Sequence, residues 1–126
     1  MENSINNLAK SIHKNAINKG FYENGKAQNI GERIALIHAE CSEALEADRK
    51  DSYCQHEIRS LLTIEDDFEF FNHYEEFVKG TFEEEMADIP IRVMDMAEHK
   101  KMDLEGHILA KMRFNTMREK YHGKKY

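Results

Sequence analysis

The sequence predicts an all-α protein, and three observations support that prediction. Apolar residues make up 40% and charged residues 33% of the 126 residues, a balance typical of a helix-rich chain with one core. The chain contains only one Pro and six Gly, fewer turn-forming residues than an all-β fold needs. Apolar residues also recur at helical spacing along most of its length. We therefore expect a single all-α domain over residues 1–126.

Helical spacing and capping residues place four main helices along the chain. The predicted helices cover residues 3–19, about 31–50, a stretch that begins after Thr81, and a stretch from a cap at Asp103 to about Lys120. Gly20 is well placed to end the first helix. Thr81 and Glu84 have the spacing of a capping box. Pro90 removes a backbone donor inside the third helix and is expected to kink it just after Asp88.

Residues 51–80 separate the second and third predicted helices and are expected to contain one short helix. Glu65-Asp66-Asp67 is suited to start that helix, because acidic side chains favour a helix N-terminus. Five aromatic residues then follow within ten positions: Phe68, Phe70, Phe71, Tyr74 and Phe77. So dense a cluster is expected to pack on the bundle or on a neighbouring subunit rather than to remain in water.

Two pairs of acids stand three residues apart, each at the edge of an apolar helical stripe. Glu40 and Glu43 belong to the second helix, and Glu85 and Asp88 belong to the third. Packing the two stripes together would bring four carboxylates face to face, an arrangement that is costly unless a cation lies between them. Carboxylate ligands suit Mg²⁺ or Mn²⁺ better than zinc. The alternative interpretation is that both pairs lie on solvated faces of a highly charged chain.

Neighbouring residues bear on the metal interpretation in opposite ways. Asp95 continues the flank of Glu85 and is a candidate fifth acid. Arg92 stands four residues after Asp88, so an ion pair between them would weaken the case for a metal. Cys41 falls in the apolar stripe of the second helix, where a buried, reduced thiol is expected.

The last predicted helix and the first connector offer groups for an anionic or flat ligand. Lys111, Asn115 and Arg118 form a polar and basic row at helical spacing, which suits either an anionic ligand or a solvated face. Phe21 and Tyr22 lie in a glycine-bracketed connector. They either anchor the loop to the core or provide a stacking surface.

Charge and composition exclude several classes of protein. The formal net charge is −6, so the chain lacks the basic field expected of a duplex-binding protein. Two cysteines are too few for a disulfide framework. The N-terminus has neither the basic start nor the apolar run of a signal peptide, and no stretch approaches a membrane span. We expect a cytoplasmic protein that binds neither a nucleic acid polymer nor a membrane.

The order of these motifs resembles the all-α nucleoside triphosphate pyrophosphohydrolases, the MazG-like family. That family has a Glu-x-x-Glu helix followed by a Glu-x-x-Asp helix, as in residues 40–43 and 85–88 here. Residues 111–118 and 122–125 also look like its phosphate-contacting helix and tail. The likeness covers roughly residues 20–125. Two features depart from the family pattern. The 41 residues between Glu43 and Glu85 are more than in compact members, so residues 51–80 look like an insertion, and Pro90 is an unusual residue in the third helix.

The resemblance implies a MazG-type, four-helix bundle-like fold with a short inserted helix. It also implies cleavage of a nucleoside triphosphate to a monophosphate and pyrophosphate, as in the removal of non-standard or excess deoxynucleotides. By this likeness, the catalytic acids that hold Mg²⁺, or Mn²⁺ in its place, are Glu40, Glu43, Glu85 and Asp88. One of these acids accepts a proton from the attacking water. The implied substrate-binding residues are Lys111, Asn115 and Arg118 at the phosphates, with Phe21 or Tyr22 on the base. A homodimer or homotetramer is expected from the long exposed flanks and the aromatic cluster.

Two other classes of function remain open from the sequence. One is a non-catalytic helical binding or scaffold protein, which would leave four inward acids unexplained. The other is a carboxylate-bridged di-metal enzyme, which normally needs paired Glu-x-x-His motifs. Only Glu119–His122 fits that motif, at the end of the last helix.

Overall fold

The computed structural model describes residues 4–23 and 29–122, with side chains up to residue 118. Over these residues the chain forms helices and no strand, which confirms the predicted all-α class. The helices are α1 (Ile5–Asn18), α2 (Ile30–Arg49), α3 (Ile58–Leu61), α4 (Asp67–Phe77), α5 (Phe82–His99) and α6 (Leu104–His122). The four long helices lie where the sequence places them, while segment 51–80 forms two helices, α3 and α4, rather than one. Within the described ranges, none of these helices is long and apolar enough to cross a membrane.

The predicted helix ends are formed by the residues that the sequence indicates. Gly20 follows α1 with a φ of +85°, a left-handed conformation that glycine adopts without strain. Asp66 caps α4 by accepting a hydrogen bond from the backbone N–H of Glu69 at 2.8 Å. Asp103 caps α6 in the same way, accepting from the N–H of Gly106 at 3.0 Å. Local side-chain chemistry therefore fixes these ends.

The start of α5 contains half of the predicted capping box. Thr81 Oγ1 accepts a hydrogen bond from the backbone N–H of Glu84 at 3.3 Å. The Glu84 carboxylate does not return to Thr81, because its Oε1 accepts instead from the N–H of Gly80 at 2.8 Å. Pro90 lies inside α5, which continues through it to His99, and the expected kink remains a prediction.

The described chain divides into two compact units. The first, called the acid unit below, is Asn29–Arg92, and the second, called the terminal unit, comprises the described residues of Met1–Gln28 and Val93–Tyr126. Helix α5 contributes residues to both. The buried apolar residues of the acid unit are Ala44, Ala47, Leu61 and Val78, and those of the terminal unit are Ala9, Ala16 and Ala97. Most of these are alanines, whose small side chains let helices approach closely.

The buried face of α2 differs from the predicted apolar stripe. Cys41, expected as a buried thiol, is exposed, and Leu45 is 50% exposed. Ala44 is buried as predicted, and the other buried positions are Glu40 and Ala47, which lie on the same helical face at four- and three-residue spacing. The prediction was wrong here because it ranked residues by hydrophobicity. The buried face instead combines two small alanines with Glu40, whose carboxylate is paired with Arg92.

The aromatic cluster of α4 is only partly covered. Phe70, Tyr74 and Phe77 are half-buried, at the spacing of one helical face. Phe68 and Phe71 project to solvent, 74% and 59% exposed respectively. One face of α4 is therefore partly covered by the rest of the chain. The other face, with Phe68 and Phe71, is not covered within one chain, and its packing on a neighbouring subunit remains a prediction.

The start of segment 51–80 is hydrogen-bonded to the first turn of α5. The carbonyl of Ser52 accepts from the backbone N–H of Phe82 at 2.8 Å, and the ring of Tyr53 lies 5.2 Å from that of Phe82. The backbone N–H of Cys54 donates to Glu83 Oε1 at 2.9 Å. This segment therefore holds in place the first turn of α5, which contains Glu85 and is followed by Asp88.

Candidate metal centre

Three consecutive glutamates open α5, and the structure separates their roles. Glu83 accepts the backbone N–H of Cys54, as described above. Glu84 accepts the hydroxyl proton of Tyr74 at 2.7 Å in addition to its capping contact. Only Glu85 has a carboxylate oxygen grouped with those of α2. Two of the three acids thus serve the local fold, and one serves the site.

Glu40, Glu43 and Glu85 form a group that we call the carboxylate cluster. Each offers one carboxylate oxygen, and these oxygens all lie within 4.8 Å of one another. Glu40 is buried, with 7% of its surface exposed, Glu85 is half-buried and Glu43 is exposed. The cluster therefore has a buried floor and an open side. Three of the four acids predicted from sequence meet in it.

The fourth predicted acid, Asp88, stands beside this cluster rather than in it. It is half-buried on α5, one turn after Glu85. Burial raises the pKa of its carboxyl group, and the negative charge of Glu40 contributes to the same shift. Asp88 is thus electrostatically coupled to the cluster, although its oxygens are not among those grouped within 4.8 Å.

The two carboxylate oxygens of Glu40 have different surroundings. Arg92 donates from Nε to Glu40 Oε1 at 3.0 Å, so Arg92 pairs with Glu40 and not with Asp88. Glu40 Oε2 is buried and accepts no hydrogen bond from any residue in the described part of the chain. A buried oxygen without a partner is uncommon in folded proteins and costs stability. An unpartnered carboxylate oxygen of this kind is suited to bind a cation.

Proton affinities within the cluster diverge, as expected for like charges held together. Burial and the closeness of Glu40 and Glu43 raise the pKa of Glu85 to about 7. Burial is the largest single influence on the pKa of Glu40 and acts to raise it, but the hydrogen bond and charge of Arg92, together with hydrogen bonds that Glu43 and Glu85 donate when they are protonated, outweigh burial and lower the pKa. Without a cation, Glu85 therefore retains a proton at pH values below about 7, which lowers the repulsion within the cluster.

The donor set fits a hard divalent cation. It offers carboxylate oxygens alone, one of them buried and unpartnered, with no His or Cys in the group. Mg²⁺ and Mn²⁺ prefer oxygen ligands and keep several waters, which the open side at Glu43 would admit. A cation would offset the repulsion between the three carboxylates and would bind Glu40 Oε2. The residues present therefore suit Mg²⁺ or Mn²⁺.

The predicted phosphate-binding row lies on α6, in the terminal unit. Lys111 and Asn115 are exposed and Arg118 is half-buried. The cationic groups of Lys111 and Arg118 lie 5.0 and 6.0 Å from the centre of the Phe114 ring, which is 50% exposed. A cation over an aromatic face is mildly stabilised, and here the contact holds both charges on one side of the helix. The tail residues 123–125 lie outside the described residues.

The two predicted stacking residues have different environments. Phe21 is 60% exposed. Tyr22 is half-buried, and its hydroxyl donates to Asp95 Oδ2 at 2.9 Å. The ring of Tyr22 contacts those of His13 and His99, each at a centroid distance of 4.8 Å. Of the two, Phe21 has the more accessible ring.

Sequence reasoning missed a second polar group, which we call the histidine–aspartate cluster: His13, Tyr22, Asp95 and His99. His13 Nδ1 lies 2.8 Å from Asp95 Oδ1, and because a carboxylate only accepts, the nitrogen carries the proton. Asp95 is therefore a buried acid with two donors in the terminal unit, and not a fifth member of the carboxylate cluster. One sequence signal was available: His13 lies between Ala9 and Ala16 on the buried face of α1.

Comparison with known proteins finds no family model, no curated protein and no solved structure that matches this chain.

Proposed function

We propose that the protein is a Mg²⁺-dependent nucleoside triphosphate pyrophosphohydrolase that releases a monophosphate and pyrophosphate. The observation that supports this most directly is the carboxylate cluster, in which Glu40 buries an oxygen without a partner. The sequence likeness to MazG-like enzymes supplies the reaction, because the clustered acids are those that the likeness assigns to the metal. Non-standard or excess deoxynucleoside triphosphates are the substrates that this likeness favours.

Phosphoryl transfer needs positioning and charge neutralisation more than a protein nucleophile. In the proposed mechanism different residues supply these two contributions. Glu40, Glu43 and Glu85 would hold the cation, with Asp88 beside them. A bound Mg²⁺ supplies charge neutralisation at the phosphates and lowers the pKa of water. One of the carboxylates would accept the proton of the attacking water.

The likeness also assigns contacts to the rest of the substrate. Lys111, Asn115 and Arg118 offer two cations and an amide to the phosphates, which suits a polyanion. Phe21, with its exposed ring, is the better stacking surface for a base, and Tyr22 would help to position the connector. Stacking on one ring tolerates any base, so selectivity would depend on other groups.

Product identification tests the proposal directly. The protein is incubated with Mg²⁺ and a panel of ribo- and deoxyribonucleoside triphosphates that includes damaged bases. We expect monophosphate and pyrophosphate. Diphosphate and orthophosphate would mean cleavage at the γ phosphate and would refute the proposed reaction. If no triphosphate is cleaved, a non-catalytic helical binding protein becomes the better interpretation.

A matched pair of α2 variants links activity to the cluster. Glu40→Gln removes a buried charge from the proposed cation site and should lower turnover by about 100-fold or more, equivalent to about 2.7 kcal/mol of lost transition-state stabilisation. Glu46→Gln changes an exposed glutamate of the same helix, which pairs loosely with Arg49 and Lys50, and should leave turnover unchanged. Equal activity of the two variants would place the reaction elsewhere.

We also propose that the chain assembles as a homodimer or homotetramer. Phe68 and Phe71 on α4 and Leu109 and Met112 on α6 are each at least 59% exposed. Large apolar side chains exposed in this number are typical of surfaces that a partner covers. Sedimentation analysis should show a mass above that of one chain. A monomer at all concentrations would overturn this proposal.

A further inference from the structure

We propose that Arg92 is a phosphate-contacting residue. Its Nε donates to Glu40, and its two Nη groups donate hydrogen bonds to an oxygen of the substrate's phosphate chain. The proposal rests on the proposed function, since it places the phosphates at the cation held by the carboxylate cluster. It adds a binding residue that belongs to neither acid motif nor to the row on α6.

The position of Arg92 on α5 brings it to the edge of the cluster. Arg92 follows Glu85 by seven residues, or about two helical turns, and therefore lies on the same face. Its Nε donates to Glu40 Oε1 at 3.0 Å, across 52 positions of sequence. The side chain of Glu40 is 9% exposed and that of Arg92 is 39% exposed. The pair therefore extends from a buried oxygen to the solvent.

The hydrogen bonds of the guanidinium are only partly used. It has five N–H groups, of which the one on Nε binds Glu40. No residue in the described ranges accepts a hydrogen bond from Nη1 or Nη2 of Arg92. Because a guanidinium is planar, the bond at Nε also fixes the direction of both Nη groups. Arg92 is thus a preoriented pair of donors with a charge, next to the proposed cation site.

Electrostatics explains why an anionic substrate needs such a group. The carboxylate oxygens of Glu40, Glu43 and Glu85 lie within 4.8 Å of one another, so they create a negative field that repels a triphosphate. A divalent cation offsets part of that field. Arg92 is the cation that the structure places directly on the cluster, and forked N–H donors match phosphate oxygens well. It would therefore draw the phosphate towards the carboxylates that hold the metal.

Titration calorimetry tests the inference by measuring binding without turnover. The protein is titrated first with Mn²⁺ alone and then with inorganic pyrophosphate in saturating Mn²⁺. Arg92→Lys is the deciding variant, because its single nitrogen preserves the charge beside Glu40 but cannot also present a fork. We expect Mn²⁺ binding close to wild type and pyrophosphate binding weaker by about tenfold or more, as for loss of a charge-assisted contact. Arg92→Gln should weaken pyrophosphate binding further. Arg49→Lys, an exposed change on α2, is the control and should bind both as wild type does.

The outcomes separate this inference from the proposed function. If Arg92→Lys binds both Mn²⁺ and pyrophosphate like wild type, Arg92 only neutralises Glu40, and the inference is wrong while the metal site stands. If wild type and Glu40→Gln bind Mn²⁺ equally, or neither binds it, the metal site itself fails and the inference fails with it. Selective loss of pyrophosphate binding in the Arg92 variants, with unchanged melting of Arg92→Lys, supports the inference.

Discussion

Glu40 in the acid unit and Asp95 in the terminal unit are both buried carboxylates, and both are 7% exposed. Asp95 has a donor for each oxygen, His13 for Oδ1 and Tyr22 for Oδ2. Glu40 has a donor, Arg92, for one oxygen only, and its carboxylate lies among those of Glu43 and Glu85. The two carboxylates are therefore equally buried, but both oxygens of Asp95 accept hydrogen bonds and only one oxygen of Glu40 does. A buried acid with all its hydrogen bonds stabilises the fold, whereas one with an orphaned oxygen among like charges is stabilised by a cation.

The largest expected effect is the response of stability to Mg²⁺. A ligand that binds only the folded state, at 100 times its dissociation constant, adds about 2.7 kcal/mol. Wild-type protein and Asp95→Asn should therefore both gain melting temperature in Mg²⁺, because the histidine–aspartate cluster has no unmet acceptor. Glu43→Gln and Asp88→Asn should respond much less. Differential scanning calorimetry with and without Mg²⁺ measures this. Equal responses in all four proteins would place the cation outside the carboxylate cluster.

A second prediction compares isosteric charge removal at the two buried acids without metal. Asp95→Asn replaces one acceptor oxygen by a donor that faces His13 or Tyr22, so we expect the free energy of unfolding to fall by about 2 kcal/mol. Glu40→Gln should change it by less than about 1 kcal/mol, in either direction. Its amide oxygen still accepts from Arg92, while its NH₂ can donate to neighbouring carboxylates.

Urea unfolding with EDTA present measures both variants, and Glu46→Gln serves as an exposed control. If Glu40→Gln destabilises as much as Asp95→Asn, the unpartnered oxygen of Glu40 is not a source of strain in the metal-free protein. The contrast drawn between the two acids would then be wrong.

The sequence predicted the parts of the molecule that depend on local chemistry. Helix class, the caps at Asp66 and Asp103, and the helix end at Gly20 follow from neighbouring residues alone. The acid pairs could be placed on α2 and α5 because three-residue spacing fixes a helical face. The MazG-type arrangement of the helices, the catalytic activity and the assembly remain predictions.

Features that depend on how helices approach one another were not predictable. Cys41 was placed inside because it is apolar, but α2 packs through alanines and through Glu40. Helical spacing allows Arg92 to pair with Asp88, whereas in the structure Arg92 binds Glu40, which lies 52 positions away in the sequence. Asp95 was grouped with the acids by its helical flank, but donors on α1 and in the connector bind it instead. In each case a distant partner overrides a local rule.

The smallest effect that we expect is a pH dependence confined to the carboxylate cluster. In the metal-free protein the pKa of Glu85 is about 7, raised by burial and by Glu40 and Glu43 from its ordinary value of 4.5. Below about pH 4.5, Glu85 is protonated in both the folded and unfolded states. As the pH rises towards 7, the unfolded chain releases this proton while the folded protein retains it, so stability falls through that window and the loss is complete above it.

Glu85→Gln removes this titration and leaves the other acids in place. The difference in melting temperature between Glu85→Gln and wild type, measured with EDTA, should therefore grow in favour of the variant as the pH rises from about 4.5 to about 7. Its size is limited by the open side of the cluster, where solvent screens the repulsion. Saturating Mg²⁺ should reverse the order, because the cation favours the ionised carboxylate that the variant lacks. Glu46→Gln, an exposed change that leaves both the carboxylate cluster and the histidine–aspartate cluster intact, should follow the wild-type pH dependence. Curves for Glu85→Gln and wild type that stay parallel across this range would show that Glu85 is not held among like charges.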